Sequence, residues 1–231
     1  MCFCASTGAR AGEWELGGSL GVAQEEKGGT NFSGNWPTVP YTTVQNSFTG
    51  AWNQAGLLVG YEALHKGAWG LWLQGQYSEA VSHPGFLHKG ETVTGTTTTS
   101  ETFRGDASYH AQTFGLAVTR RFSFGEVGLG LGLRTHALSA DGTRESRNNT
   151  TFTYDHYTVS HSYRDTLLTL SFTALQDQGA FRSFQKVSIA GGFGSTAPAV
   201  NPGPSDWQMR EAYLAQIRPN REFRITLGVR L

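Results

Sequence analysis

The chain has 231 residues, a formal net charge of zero, 16% charged residues and 30 glycines. Soluble globular chains carry roughly 25% charged residues and about 7% glycine, so an ordinary solvated surface is a poor fit, although one domain suffices for this length. Lys and Arg form no block, which leaves a nucleic-acid partner without electrostatic support. No run nears the ~18 apolar residues of a membrane helix, so any membrane span has to be made of strands.

Taken in chain order, residues 1–11 hold both cysteines, Cys2 and Cys4, followed by an Ala9-Arg10-Ala11 processing pattern. They are expected to be the remnant of a signal peptide, with a disordered N-terminus as the alternative, and the mature barrel to occupy 12–231. From Trp14 onward the period of the sequence is two, not 3.6. Trp14, Leu16, Leu20 and Val22 alternate with Glu15, Gly17, Ser19 and Gly21. Ala55, Leu57, Val59, Tyr61 and Ala63 alternate with Gln54, Gly56, Leu58, Gly60 and Glu62. Trp69, Leu71, Leu73 and Tyr77 form the third stripe, and Phe114, Leu116 and Val118 the fourth. Val127, Leu129, Leu131 and Leu133 set against three glycines and Arg134 form the fifth. Leu168, Leu170 and Phe172 form the sixth, and Val187, Ile189 and Phe193 the seventh. The last sets Phe223, Ile225, Leu227, Val229 and Leu231 against Arg224, Thr226, Gly228 and Arg230.

That makes an all-β, antiparallel up-and-down transmembrane barrel of eight strands, with ten the alternative count. Connections alternate long and short: long loops are expected at about 25–45, 81–105, 141–150 and 195–221. Short turns fall between them. Outer-membrane barrels sort their connections in this way, with short periplasmic turns and long external loops. An even strand count puts both termini on the periplasmic side. The non-apolar face is mostly Gly, Ser, Thr and Gln, which suits a crowded lumen better than a solvated exterior. Trp14, Tyr61, Trp69, Tyr77 and Phe122 stand near strand ends, where an interfacial aromatic girdle is expected.

These stripes, and the closing Thr226-Leu227-Gly228-Val229-Arg230-Leu231, resemble the small eight-stranded outer-membrane barrels of the OmpA transmembrane-domain and OmpX type. The resemblance implies that Gly228, Val229 and Leu231 belong to the signal read by the barrel-assembly machinery. Leu231 departs from the usual terminal Phe. It also implies a bacterial outer-membrane location and outer-membrane lipid as the surrounding medium, but it names no activity.

A barrel of this size is just filled by its own side chains. Its inward charges should pair, since buried charges need partners. Glu15 and Glu62 are expected to meet Arg230, with Arg134, Lys186 and Arg224 as further members of one lumenal network. His156, Ser160, His161 and Asp165 form a weak catalytic candidate, and His136 with Ser139 lies nearby in sequence. Polar loop positions explain them more simply. No recognised ligand spacing calls for a metal or a cofactor. Phe152 to Leu175 stays strand-like far beyond the roughly 9–11 residues needed to span. Tyr157, Val159 and Tyr163 run out of phase with Leu168 and Phe172, which predicts a bulge there. The fifth and sixth strands, with Glu91 to Phe103, are expected to project as an external sheet, open to a protein partner at the external loops. Residues 206–217 carry helix-like spacing (Trp207, Tyr213, Leu214, Ile217) that a strand extension fits nearly as well. The functional expectation is a structural or surface-interaction barrel. A narrow pore or a subunit of a larger envelope complex comes second, and a lipid A-modifying or proteolytic barrel enzyme third.

Overall fold

The computed structural model describes residues 12–25, 31–36, 39–48, 52–83, 85–94, 97–179, 181–194 and 219–231. Residues 1–11 lie outside them, as do 195–218 with the helix-or-strand segment 206–217. In chain order the strands are β1 (Trp14–Glu25), β2 (Asn31–Trp36), β3 (Val39–Phe48), β4 (Trp52–Lys66), β5 (Trp69–Ala80) and β6 (Gly85–Thr94). They continue as β7 (Thr97–Phe122), β8 (Gly125–Asn148), β9 (Thr151–Asp177), β10 (Arg182–Phe193) and β11 (Pro219–Arg230).

Eight of them close an antiparallel ring in the order β1-β4-β5-β7-β8-β9-β10-β11. The last strand joins the first, from Glu15 opposite Arg230 to Val22 opposite Phe223, so no edge remains in the ring. This is an up-and-down β-barrel of eight strands. Its short connections use backbone conformations that suit them: Gly67 and Gly179 sit at positive φ, 63° and 80°, where a Cβ would be strained.

The ring occupies only part of the longest strands. Above His110 on β7, where β5 leaves it, and Thr166 on β9, where β10 leaves it, β7, β8 and β9 run on together. β6 pairs with the upper half of β7, β3 with β6, and β2 with β3. The result is a sheet of order β2-β3-β6-β7-β8-β9 that projects from the loop end of the barrel.

Three sequence expectations need correction here. Residues 25–45 and 81–105, expected as loops, contain β2, most of β3, β6 and the first part of β7. The expected loop at 141–150 is a hairpin: Asp141 pairs with Thr158 and Asn148 with Thr151. Asn149, at φ 49°, supplies the left-handed residue that a two-residue turn needs. Finally, β9 has no bulge against β8. Pairing runs without a register shift from Glu126 opposite Thr173 to Asn148 opposite Thr151. The hydrophobic phase slips because the apolar residues change sides, not because the strand does.

In the ring, the outward face is the apolar one: Leu20, Leu57, Phe114 and Leu133 are 64–69% exposed. Inward positions there are chiefly Glu15, Ser19, Glu126, Thr173, Lys186, Arg224, Thr226 and Arg230, all buried. In the projecting half the order reverses. Phe103, Ala107, Tyr109, Leu138, Ala140 and Tyr163 pack into an interior core, joined from the loop end of the ring by Trp52 on β4. Thr135, Asp141, Thr143, Thr158 and Ser160 face outward.

Candidate functional site

The lumen contains two charge clusters, set by strand parity. On β1, β10 and β11 the residues that alternate with the apolar stripe are Glu15, Lys186 and Arg230, and all three are buried. The register of ring closure puts Glu15 beside Arg230. Arg230 Nη2 lies 3.3 Å from Glu15 Oε1, and Lys186 Nζ donates to Glu15 Oε2 at 2.5 Å. On its other side Arg230 Nη1 donates to Glu126 Oε1 at 2.9 Å, and Arg121 reaches the same carboxylate at 2.7 Å. The Arg230 guanidinium also stands 4.6 Å from the Trp72 ring, a contact worth more in a desolvated place than at a surface. Charge alternates across this cluster, so each buried ion has an opposite neighbour.

The second cluster sits at the upper end of the ring. Arg134 makes two bonds to Asp165, 3.1 Å from Nε and 2.6 Å from Nη2, in the fork geometry that planar guanidinium allows. It also donates to Glu222 at 3.2 Å and to the Pro219 carbonyl at 3.1 Å. Arg224 pairs with Glu222 and donates to Gln54 at 3.3 Å. His136, fully buried, lies between Asp165 (Nε2 to Oδ1, 3.0 Å) and the Tyr109 hydroxyl (2.8 Å from Nδ1), with its ring stacked 4.1 Å from Tyr163. Both His136 and Tyr109 are above the apolar belt. Burial holds the His136 imidazole below its ordinary pKa and pushes the Tyr109 phenol up to about 12, so both are neutral at pH 7.

Between the clusters lies a cavity of about 60 Å³, lined by Gln74, Gln76, Thr113, Thr169, Ser171 and Thr226 among others. That exceeds the roughly 10–15 Å³ that one water needs, so the cavity has room for ordered water. Below the lower cluster, the turn end of the lumen opens into a space of about 490 Å³ lined by Glu62, His65, Arg121, Arg182 and Arg230 among others.

Of the residues singled out in the sequence, Glu15, Lys186 and Arg230 meet in one cluster, and Arg134 and Arg224 share Glu222 in the other. Glu62 does not join them. Its carboxylate is 3.0 Å from His65 Nδ1, three residues along its own strand, where the bulge between Glu62 and Leu64 turns the strand end. The single network expected from the sequence is thus two clusters and a separate pair. Glu126, Glu222 and the Glu13–Arg182 pair were missed, although Glu126 and Glu222 occupy inward positions that the alternation on β8 and β11 marks.

The weak catalytic set is dispersed. His156 and Ser160 are exposed on the outward face of β9, whereas His161 and Asp165 have the inward parity of Tyr163. His156 Nε2 lies 3.3 Å from exposed Asp141, and Asp165 is taken up by Arg134 and His136. Four residues of strand, about 13 Å, separate Asp165 from His161.

Trp14, Tyr61, Trp69 and Phe122 gather at the turn end of the ring. Trp14 packs on Tyr61 at 4.9 Å, and Arg120 stands over both Trp69 and Phe122. Tyr77 is toward the loop end. Gly228 lies opposite Gly17, and a Cβ on Gly228 would come within 2.1 Å of the Leu16 carbonyl oxygen and 2.6 Å of the Phe184 ring. This glycine pair makes room for the buried Phe184. Leu231 is exposed at the rim.

No family model and no curated protein sequence matches the chain. Among solved structures it is similar to the crystal structure of Neisserial surface protein A, over 97% of this chain and 98% of that one, at 8% identity and a TM-score of 0.41.

Proposed function

We propose that this chain is a bacterial outer-membrane barrel with a structural or surface-interaction role, its projecting sheet outside the cell and both termini in the periplasm. The reversal of polarity carries the reading. A closed ring with an apolar exterior and an ion-paired lumen is stable in lipid, where every backbone group has to be satisfied by a neighbouring strand. A water-soluble barrel has the opposite arrangement, as the projecting half of this chain does. Aromatic side chains at the turn end of the ring suit a membrane–water interface.

The surface role is supported by an edge of β9 that is unpaired among the described residues. β10 pairs with β9 only from Thr166 downward, and among the described residues no strand pairs with the far edge of β9 above it. Such an edge can take up an extended partner through main-chain hydrogen bonds. Two side-chain clusters across the lumen argue for a closed barrel rather than a pore. His156, Ser160, His161 and Asp165 do not meet as a nucleophile–base pair, so these four residues do not support the enzyme reading.

Protease treatment of intact cells tests the orientation. Trypsin should cut at exposed Arg147 beside the β8–β9 turn while the membrane is intact. Cleavage there only after the membrane is opened would overturn the orientation. In planar bilayers the purified barrel should show no stable unit conductance, and a steady single-channel step would move the assignment to a narrow pore.

A further inference from the structure

Among the described residues, six Lys and Arg side chains lie in the turn half of the ring, and strand parity divides them. Arg121, Arg182, Lys186 and Arg230 have inward parity, and each reaches a carboxylate. Lys66 and Arg120 are exposed on the outward face, in the cross-strand row Lys66, Trp69, Arg120 and Val127. Neither has a carboxylate partner among the described residues. The nearest acids, Glu62 and Glu126, are buried on the lumen side and held by His65 and by Arg121 and Arg230. On this row and the two above it, the outward residues of β4, β5, β7 and β8 include no carboxylate. The turn-end rim of an apolar wall thus carries two unneutralised cations, one on each side of Trp69.

We propose that this row binds one anionic phospholipid of the periplasmic leaflet, with its phosphate between Arg120 and Lys66 and an acyl chain along Leu71 and Val118. Three observations converge on that occupant. The Arg120 guanidinium stands 5.2 Å from the Trp69 ring and 5.1 Å from the Phe122 ring. Those contacts engage its face, so the N–H groups around its edge are left to an anion. Arg takes two phosphate oxygens through parallel N–H groups, and Lys adds a point charge. Lys66 and Arg120 lie two strands apart, about 10 Å along the sheet, within the joint reach of two long side chains. The next row above is Leu64, Leu71, Val118 and Leu129, all outward and apolar, so a chain below the headgroup meets no polar group. Two cations without an acid also favour a net negative lipid over a zwitterionic one.

The site rests on the membrane orientation proposed above, which the protease experiment tests separately. The barrel, folded in detergent, is incubated with phosphatidylglycerol, phosphatidylethanolamine or diacylglycerol, and adducts are counted by native mass spectrometry. Folding is followed independently by the heat-dependent shift in electrophoretic mobility. Wild type should retain one phosphatidylglycerol. Arg120→Gln should reduce retention about tenfold or more, a difference of about 1.4 kcal/mol, and Lys66→Gln about threefold. Phosphatidylethanolamine should be retained less than phosphatidylglycerol, and diacylglycerol least. Inorganic phosphate should not displace the bound lipid. Arg147→Gln, which removes an exposed cation at the far end of the molecule, should change nothing. If Arg120→Gln loses the mobility shift, Lys66→Gln decides the matter alone. Equal retention of phosphatidylglycerol and either other lipid, equal retention by the folded variants, or displacement by phosphate would each overturn the site. So would a loss matched in Arg147→Gln, or no adduct on a folded barrel. Loss of the mobility shift in wild type would instead overturn the barrel reading itself.

Discussion

β8 and β9 each pass through two environments, and the contrast between their lower and upper halves is instructive. Below Leu133 and Thr166 these strands turn apolar side chains outward, and Glu126, Thr173 and Leu167 inward. Above, Leu138, Ala140 and Tyr163 turn inward and hydroxyls turn outward. The hydrogen-bond register is continuous across the boundary. One backbone thus serves two solvents, and the only thing that changes is which face is hydrophobic. In lipid the exterior is the cheap place for Leu and Phe, while the lumen has to neutralise its charges pairwise. In water the same strands bury aromatics as an ordinary soluble sheet would.

Four substitutions and one titration test this division, beginning with those that should cost most. Arg230→Ala leaves Glu15 and Glu126 short of a buried partner and should destabilise the ring by about 3–5 kcal/mol, read from urea unfolding in lipid vesicles. A cost below about 1 kcal/mol would mean that water replaces the guanidinium freely. Trp52→Ala opens a cavity in the upper core and should cost a similar 3–5 kcal/mol, but locally. Hydrogen exchange should quicken in residues 97–109 and 135–148 while the lower halves of β7 and β8 stay protected. Uniform loss of protection would show that the two halves unfold as one.

Next comes a pair on one face of one strand. Leu170→Arg places a charge on the lipid side of β9 and should cost about 2–4 kcal/mol. Ser160→Arg, ten residues earlier with the same outward parity, belongs last in the order and should stay within about 0.5 kcal/mol. Similar costs at the two positions would erase the boundary drawn here.

Between them in size is a pH effect confined to the upper half. His136 is held below its ordinary pKa by burial. An unfolded imidazole titrates near 6.5, so below that pH the unfolded state binds more protons than the folded one. Stability is fully present above about pH 6.5. It falls as the pH drops toward the folded value, by up to about 1.4 kcal/mol per unit. Protection factors in β8 around His136, referred to the intrinsic exchange rate at each pH, should fall from pH 7 to pH 5, and His136→Phe, which keeps a ring against Tyr163, should remove that dependence. An unchanged profile in the variant would assign the effect to other groups.

The parts of the fold visible in the sequence are those in which a strand has one apolar and one polar face. Leu57, Val59, Leu129 and Phe172 stand outward as their alternation requires, and Glu15, Lys186 and Arg230 stand inward for the same reason. The projecting sheet was harder to read. Its strands are rich in Thr, Ser, Asn and charged residues, so the alternation of apolar with polar residues is weak there. Residues 25–45 and 141–150 therefore look like loops. The site was legible in part, since parity says that a residue points into the lumen but not at what height. Glu62 shares the parity of Glu15 and still pairs with His65, because the bulge between Glu62 and Leu64 shifts the parity of the strand end and brings His65 to the same side.

The sequence by itself determined the eight stripes, the closed barrel they imply, and which residues face the lumen. These follow from local chemistry repeated every second residue. Tertiary structure alone decided that Arg230 lies between Glu15 and Glu126, that His136 meets Asp165 and Tyr109, and that Arg120 stands over Trp69 and Phe122. Each of these depends on the stagger between strands, which no single strand encodes. It is set when β11 closes on β1 and the whole ring takes one register.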